Sequence, residues 1–172
     1  MKKTVLSLAA LALASQVSAA PLALGTQEIR FDGMIDFDSV AGTDISINVG
    51  YGYFIMDYLE VGGIGGITDN DIVTTFSVGG FAEYNIDTAT ELIPFLGSQL
   101  RLVYADIDVG ATSESQTALA LGLYAGAKFF LTEGLAISGR FMIEVASDDI
   151  FPEEKKVNDV NFGIDFGLRY FF

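Results

Sequence analysis

From Asn161 to Phe172 the chain alternates without a break: Phe162, Ile164, Phe166, Leu168, Tyr170 and Phe172 share one parity, and Asn161, Gly163, Asp165, Gly167 and Arg169 share the other. Phe171 is the single large apolar residue on the second parity. A period of two sends successive side chains to opposite faces of a strand, whereas a helical period of 3.6 would scatter both sets around the axis. The segment is therefore a strand with one apolar face and one face that carries Asp165 and Arg169.

The same period recurs along the chain. Glu28 to Asp38 sets Ile29, Phe31, Gly33, Ile35 and Phe37 against Glu28, Arg30, Asp32, Met34, Asp36 and Asp38. Asp44 to Ile55 sets Ile45, Ile47, Val49, Tyr51 and Tyr53 against Ser46, Asn48, Gly50 and Gly52. Thr74–Ile86, Leu92–Ala105, Thr117–Phe130 and Leu135–Val145 repeat the theme. The exception is Leu59 to Thr68, where Gly62, Gly63, Gly65 and Gly66 blur the parity and predict a bulge. Polar stretches at Asp106–Gln116 and Ala146–Asp159 read as the two longest loops.

At the amino terminus, Lys2 and Lys3 precede an apolar run from Thr4 to Ala14, and Val17-Ser18-Ala19 supplies small residues at peptidase spacing. That pattern predicts a cleaved secretory signal over residues 1–20 and one domain over 21–172. A spanning helix needs about 20 apolar residues, and this run is much shorter. Nine Lys and Arg against 23 Asp and Glu give a net charge of −14, and loss of the two signal lysines makes the domain more acidic. Nucleic-acid binding and polybasic attachment to anionic lipid both need the opposite sign. With no cysteine in the chain, stability must come from packing and hydrogen bonds.

Eight such strands, each long enough for a tilted crossing, predict an all-β, closed, antiparallel, eight-stranded transmembrane barrel with both termini on one side. On this topology Tyr53, Tyr84, Phe129, Tyr170 and Phe172 fall at the ends near the termini. Phe37, Phe76, Tyr104 and Phe162 fall at the opposite ends. Two aromatic girdles are what a membrane barrel requires, and the two longest loops fall together on the far side. The alternation by itself also fits a soluble barrel of the lipocalin type; the export signal, the terminal Phe and the two girdles favour the membrane.

If the apolar parity meets lipid, the interior holds Arg30, Arg101, Lys128, Arg140, Arg169, Glu28, Asp32, Glu83, Glu144 and Asp165. An eight-stranded interior is just wide enough for side chains to fill. The charges are expected to pair into a polar core, with Gly50, Gly52, Gly122, Gly126, Gly163 and Gly167 making room for long basic stems. A proton or ion path through that interior is the functional alternative.

A terminal Phe on an amphipathic strand resembles the last strand of bacterial outer-membrane barrels, and Tyr170 and Phe172 are, on that resemblance, the assembly signal. The segments Gly52-Tyr53-Phe54-Ile55-Met56-Asp57-Tyr58-Leu59-Glu60-Val61-Gly62 and Gly126-Ala127-Lys128-Phe129-Phe130-Leu131-Thr132-Glu133-Gly134-Leu135 resemble strand-turn-strand units of the small OmpA-type and OmpX-type barrels. The resemblance implies export to the bacterial outer membrane, termini in the periplasm, and contact with lipopolysaccharide and the barrel-assembly machinery. A cell-wall tether of the OmpA sort is not expected.

Enzymatic relatives of this size resemble one another in using a histidine, and this chain has none. A Ser-Lys arrangement would have to use Lys128, which has no evident serine partner in the sequence. Asp69-Asn70-Asp71, Asp106-Ile107-Asp108, Asp148-Asp149 and Glu153-Glu154 lie on expected outer loops. Their spacing matches no calcium loop, so they read as a solvated acidic rim. The sequence thus predicts no catalysis, no cofactor and no metal. It points to a structural or surface-interaction role through acidic outer loops, with a porin-like narrow channel as the alternative.

Overall fold

An alternating segment satisfies two different surroundings only when its backbone is extended and paired, and each such segment forms a strand. The computed structural model describes residues 22–39, 42–69, 73–109, 112–153 and 156–172. Its strands are β1 (Gln27–Ser39), β2 (Gly42–Met56), β3 (Leu59–Asp69), β4 (Val73–Asn85), β5 (Leu92–Val109), β6 (Thr112–Thr132) and β7 (Leu135–Ala146). A small hairpin of β8 (Phe151–Glu153) and β9 (Lys156–Asn158) precedes the last strand, β10 (Val160–Phe171). The expected signal over residues 1–20 lies outside the described residues.

The order β1-β10-β7-β6-β5-β4-β3-β2 closes on itself as the expected eight-stranded antiparallel barrel. Closure gives each strand two neighbours and leaves the apolar surface no sheet edge. Among the described residues, the seam between first and last strands is the shortest ladder of the barrel, running from Glu28–Phe171 to Gly33–Phe166.

Two sequence expectations need correction. Among its described residues, the stretch Asp106–Gln116 is not a loop: β5 and β6 stay paired from Asp106–Ser115 to Val109–Thr112. Pairing is set by backbone hydrogen bonds, which persist where alternation of side-chain polarity is no longer needed. With that stretch paired, the longest outer connection is Ser147–Asp159, which itself contains the β8–β9 hairpin. The glycines of β3 make no bulge, since its pairing with β4 is continuous from Leu59–Tyr84 to Asp69–Thr74. A Cβ on Gly62 would meet the Tyr51 carbonyl and, at 2.5 Å, the Phe81 ring, and one on Gly66 would meet the Asn48 side chain. These two glycines admit neighbours' side chains rather than bend the strand.

The interior is layered along the barrel axis. At the end where the termini lie, Leu22, Phe54, Ile93, Phe130, Ala136 and Phe171 form an apolar cluster with Tyr58 packed against it. At the opposite end, Val103, Ala105, Ala118, Ala120, Ala146 and Ile150 form another. Between them Phe95, Tyr124 and Met142 pack among the charged residues. The outer surface is the reverse, with Phe76, Val78, Leu102, Leu121, Phe162 and Phe166 all exposed.

Candidate functional site

Strict alternation carries all ten expected charged residues to the inner face: nine are buried, and Arg101 is half-buried. Three levels of pairing follow from strand register. Nearest the termini, the Lys128 ammonium lies 2.7 Å from Glu83 and 3.0 Å from Glu28. The Arg169 guanidinium, 2.9 Å from Glu28 and 3.3 Å from Glu83, shares the same two carboxylates. Arg30 reaches Glu83 at 3.5 Å, with its guanidinium carbon 3.4 Å from the centre of the Phe81 ring. In the middle, Arg140 pairs with Asp165 at 2.9 Å and approaches Asp32 at 3.7 Å. Above it, Arg101 grips both carboxylate oxygens of Glu144, which also accepts a hydrogen bond from Gln99 at 3.3 Å.

The sequence reading missed Glu60, whose side chain is fully buried beside this network. Glycines hid its parity; its register opposite Glu83 was the missing information. Phe54, Phe81, Phe95 and Phe130 were also missed as interior residues, whereas Phe171, already on the parity of Arg169, is buried as that parity requires. They share the inward parity of Gly52, Glu83, Gln99, Lys128 and Arg169, and that signal was available. Among the interior glycines, Gly50 does lie against Arg30. Gly52, Gly122, Gly126 and Gly167 instead accommodate Glu60, Gln99, Phe95 and Asp32, and nothing lies near Gly163. The basic head groups lie over aromatic rings, the Lys128 ammonium 5.3 Å from the centre of the Phe171 ring and the Arg169 guanidinium carbon 4.9 Å from that of Phe95.

Glu28, Glu60 and Glu83 bring ligand oxygens within 4.8 Å of one another, an arrangement that could suit a metal cation. The cation among them is Lys128, with Glu60 at 3.8 Å as its third carboxylate. An ammonium held in this way is a structural counter-ion.

On the outside, Tyr53, Tyr84, Phe129, Tyr170 and Phe172 are exposed at one end, and Phe76, Tyr104 and Phe162 at the other. The side chain of Phe37 lies outside those described. Tyr170 and Phe172 stack with ring centres 5.8 Å apart, whereas Phe171 turns inward.

A closed barrel with an apolar exterior and charged interior can be compared with known proteins. Residues 4–170 match the outer membrane protein beta-barrel domain family. The chain belongs to that family. Membership gives this outer-membrane barrel its place in the bacterial outer membrane. Among solved structures, Neisserial surface protein A shares 21% identity over 84% of this chain and 94% of its own, with a TM-score of 0.59. The N-terminal barrel of Pseudomonas aeruginosa OprF shares 16% over 87% of this chain and 98% of its own, at 0.63. Yersinia pestis Ail in a phospholipid nanodisc shares 17% over 86% of this chain and 99% of its own, at 0.53. These likenesses are in fold. No curated protein matches the chain in sequence.

Proposed function

We propose that this outer-membrane barrel serves a structural and surface-interaction role and does not conduct. The observation that carries the reading is the layered interior: paired charges in the middle, with an apolar cluster at each end. An ion entering would have to shed its water against Phe54, Phe130 and Phe171 at one end and the alanine-rich wall at the other. At the loop end Asp69, Asp106, Asp148, Asp149 and Asp159 are exposed. This acidic rim is the surface offered to a partner or, through divalent cations, to lipopolysaccharide phosphates. Export by cleavage of residues 1–20, periplasmic termini, and engagement of the assembly machinery through Tyr170 and Phe172 complete the reading.

The protein is read as non-enzymatic. Its only lysine candidate, Lys128, is held by Glu28 and Glu83 rather than by a serine. Purified protein in planar bilayers tests the central claim, and no steady openings are expected. Steady conductance abolished by Arg101→Ala or Arg140→Ala would overturn it in favour of a narrow channel.

A further inference from the structure

The residues just before the first strand are built into the barrel in a way their sequence does not announce. Leu22 is 2% exposed, with its side chain among Phe54, Ile93, Phe130, Ala136 and Phe171 at the terminal mouth. The backbone around it is fastened at several points. Tyr58 N–H donates to the Leu22 carbonyl at 2.7 Å, and Leu24 N–H donates to Asp57 at 2.8 Å. Gly25 N–H donates to the Phe54 carbonyl, and Phe54 N–H to that of Thr26, both at 2.9 Å. Gly25 turns the chain back with a φ of +94°, a value that glycine adopts at no steric cost.

Tyr58 is the hub. Its hydroxyl donates to Asp87 at 2.8 Å, and its carbonyl accepts from Asn85 N–H at 2.8 Å, so it ties together the β2–β3 turn, the β4–β5 turn and the leading segment. Its φ of +66° is strained for a side chain of this size, and these bonds hold it there.

We infer that Leu22–Thr26 is a stopper for the terminal mouth, with Leu22 as its apolar head and Tyr58 as its latch. Directly above the apolar cluster, the Lys128 ammonium lies 5.9 Å from the centre of the Phe54 ring, so the stopper, together with the wall residues it packs against, separates the first ionic layer from bulk water. Without it, water would reach the apolar cluster and weaken the pairs behind it.

The chain contains no cysteine, so a single thiol at Ile93 reports on this mouth and one at Val103 on the opposite end. In the folded barrel both are expected to react slowly with a water-soluble maleimide. Leu22→Ala should speed labelling at Ile93→Cys by about tenfold or more, because a truncated buried leucine loses that much holding energy. Labelling at Val103→Cys should stay unchanged. Tyr58→Phe, which leaves the barrel wall intact, should give a smaller acceleration at Ile93→Cys alone. Equal labelling at Ile93→Cys with and without Leu22 would overturn the proposal, as would acceleration at both ends, which reports a loosened barrel.

Discussion

Lys128 shows what a single residue decides in this interior. It faces three carboxylates, Glu28, Glu60 and Glu83, and its own charge is the one they surround. Removing one partner from a buried ion cluster costs more than the cluster contributes, because the remaining charges lose their compensation where water cannot replace it. Lys128→Met should therefore destabilise the barrel by about 3–5 kcal/mol, read from urea-induced unfolding in phospholipid vesicles. Combining it with Glu60→Gln should recover part of that loss, since fewer carboxylates then go uncompensated. The basic residue was legible in the sequence as inward-facing. Its third carboxylate was not, because Glu60 stands at the head of a glycine-rich strand whose parity no local pattern fixes.

At the scale of elements, the turns near the termini are more specific than their sequences suggest. Asp87 accepts from the Ala89 N–H at 2.9 Å and from the Tyr58 hydroxyl at 2.8 Å. Those two donors hold its carboxyl below the usual carboxylate range, the backbone bond first and the Tyr58 hydroxyl second. The same contact raises the Tyr58 phenol. A lowered folded-state pKa means that the stabilisation is present above the ordinary carboxylate range and is lost as pH falls through the folded value. Acidification should therefore increase proteolytic nicking of the β4–β5 turn, and Asp87→Asn should abolish that pH dependence; an identical acid response in the variant would contradict it. Strand positions were readable from period two alone, but strand ends were not. In β5 and β6 the ladder continues to Val109–Thr112, because backbone pairing is indifferent to the side-chain polarity that had suggested a loop.

For the whole molecule, closure is the property that matters. A barrel whose first and last strands pair, and whose interior is packed from one apolar cluster to the other, loses its structure as a unit. Its unboiled form should therefore migrate differently from its heated form on a gel, and Phe166→Arg should weaken the unboiled band. Phe166 is 68% exposed, and a basic residue at the bilayer midplane costs about 2–4 kcal/mol. Unchanged mobility on heating would contradict a closed barrel. Which face of each clear strand is apolar and which is charged was legible in the chain alone, and so, from the count of such strands, was the eight-stranded architecture, because period two is a local property of an extended backbone. Which charges meet across the lumen, where the aromatics lie against them, and that Leu22 seats in the mouth came from the folded barrel. Those depend on register between strands far apart in the chain, as in Lys128 and Glu28, and register is set by all eight ladders together.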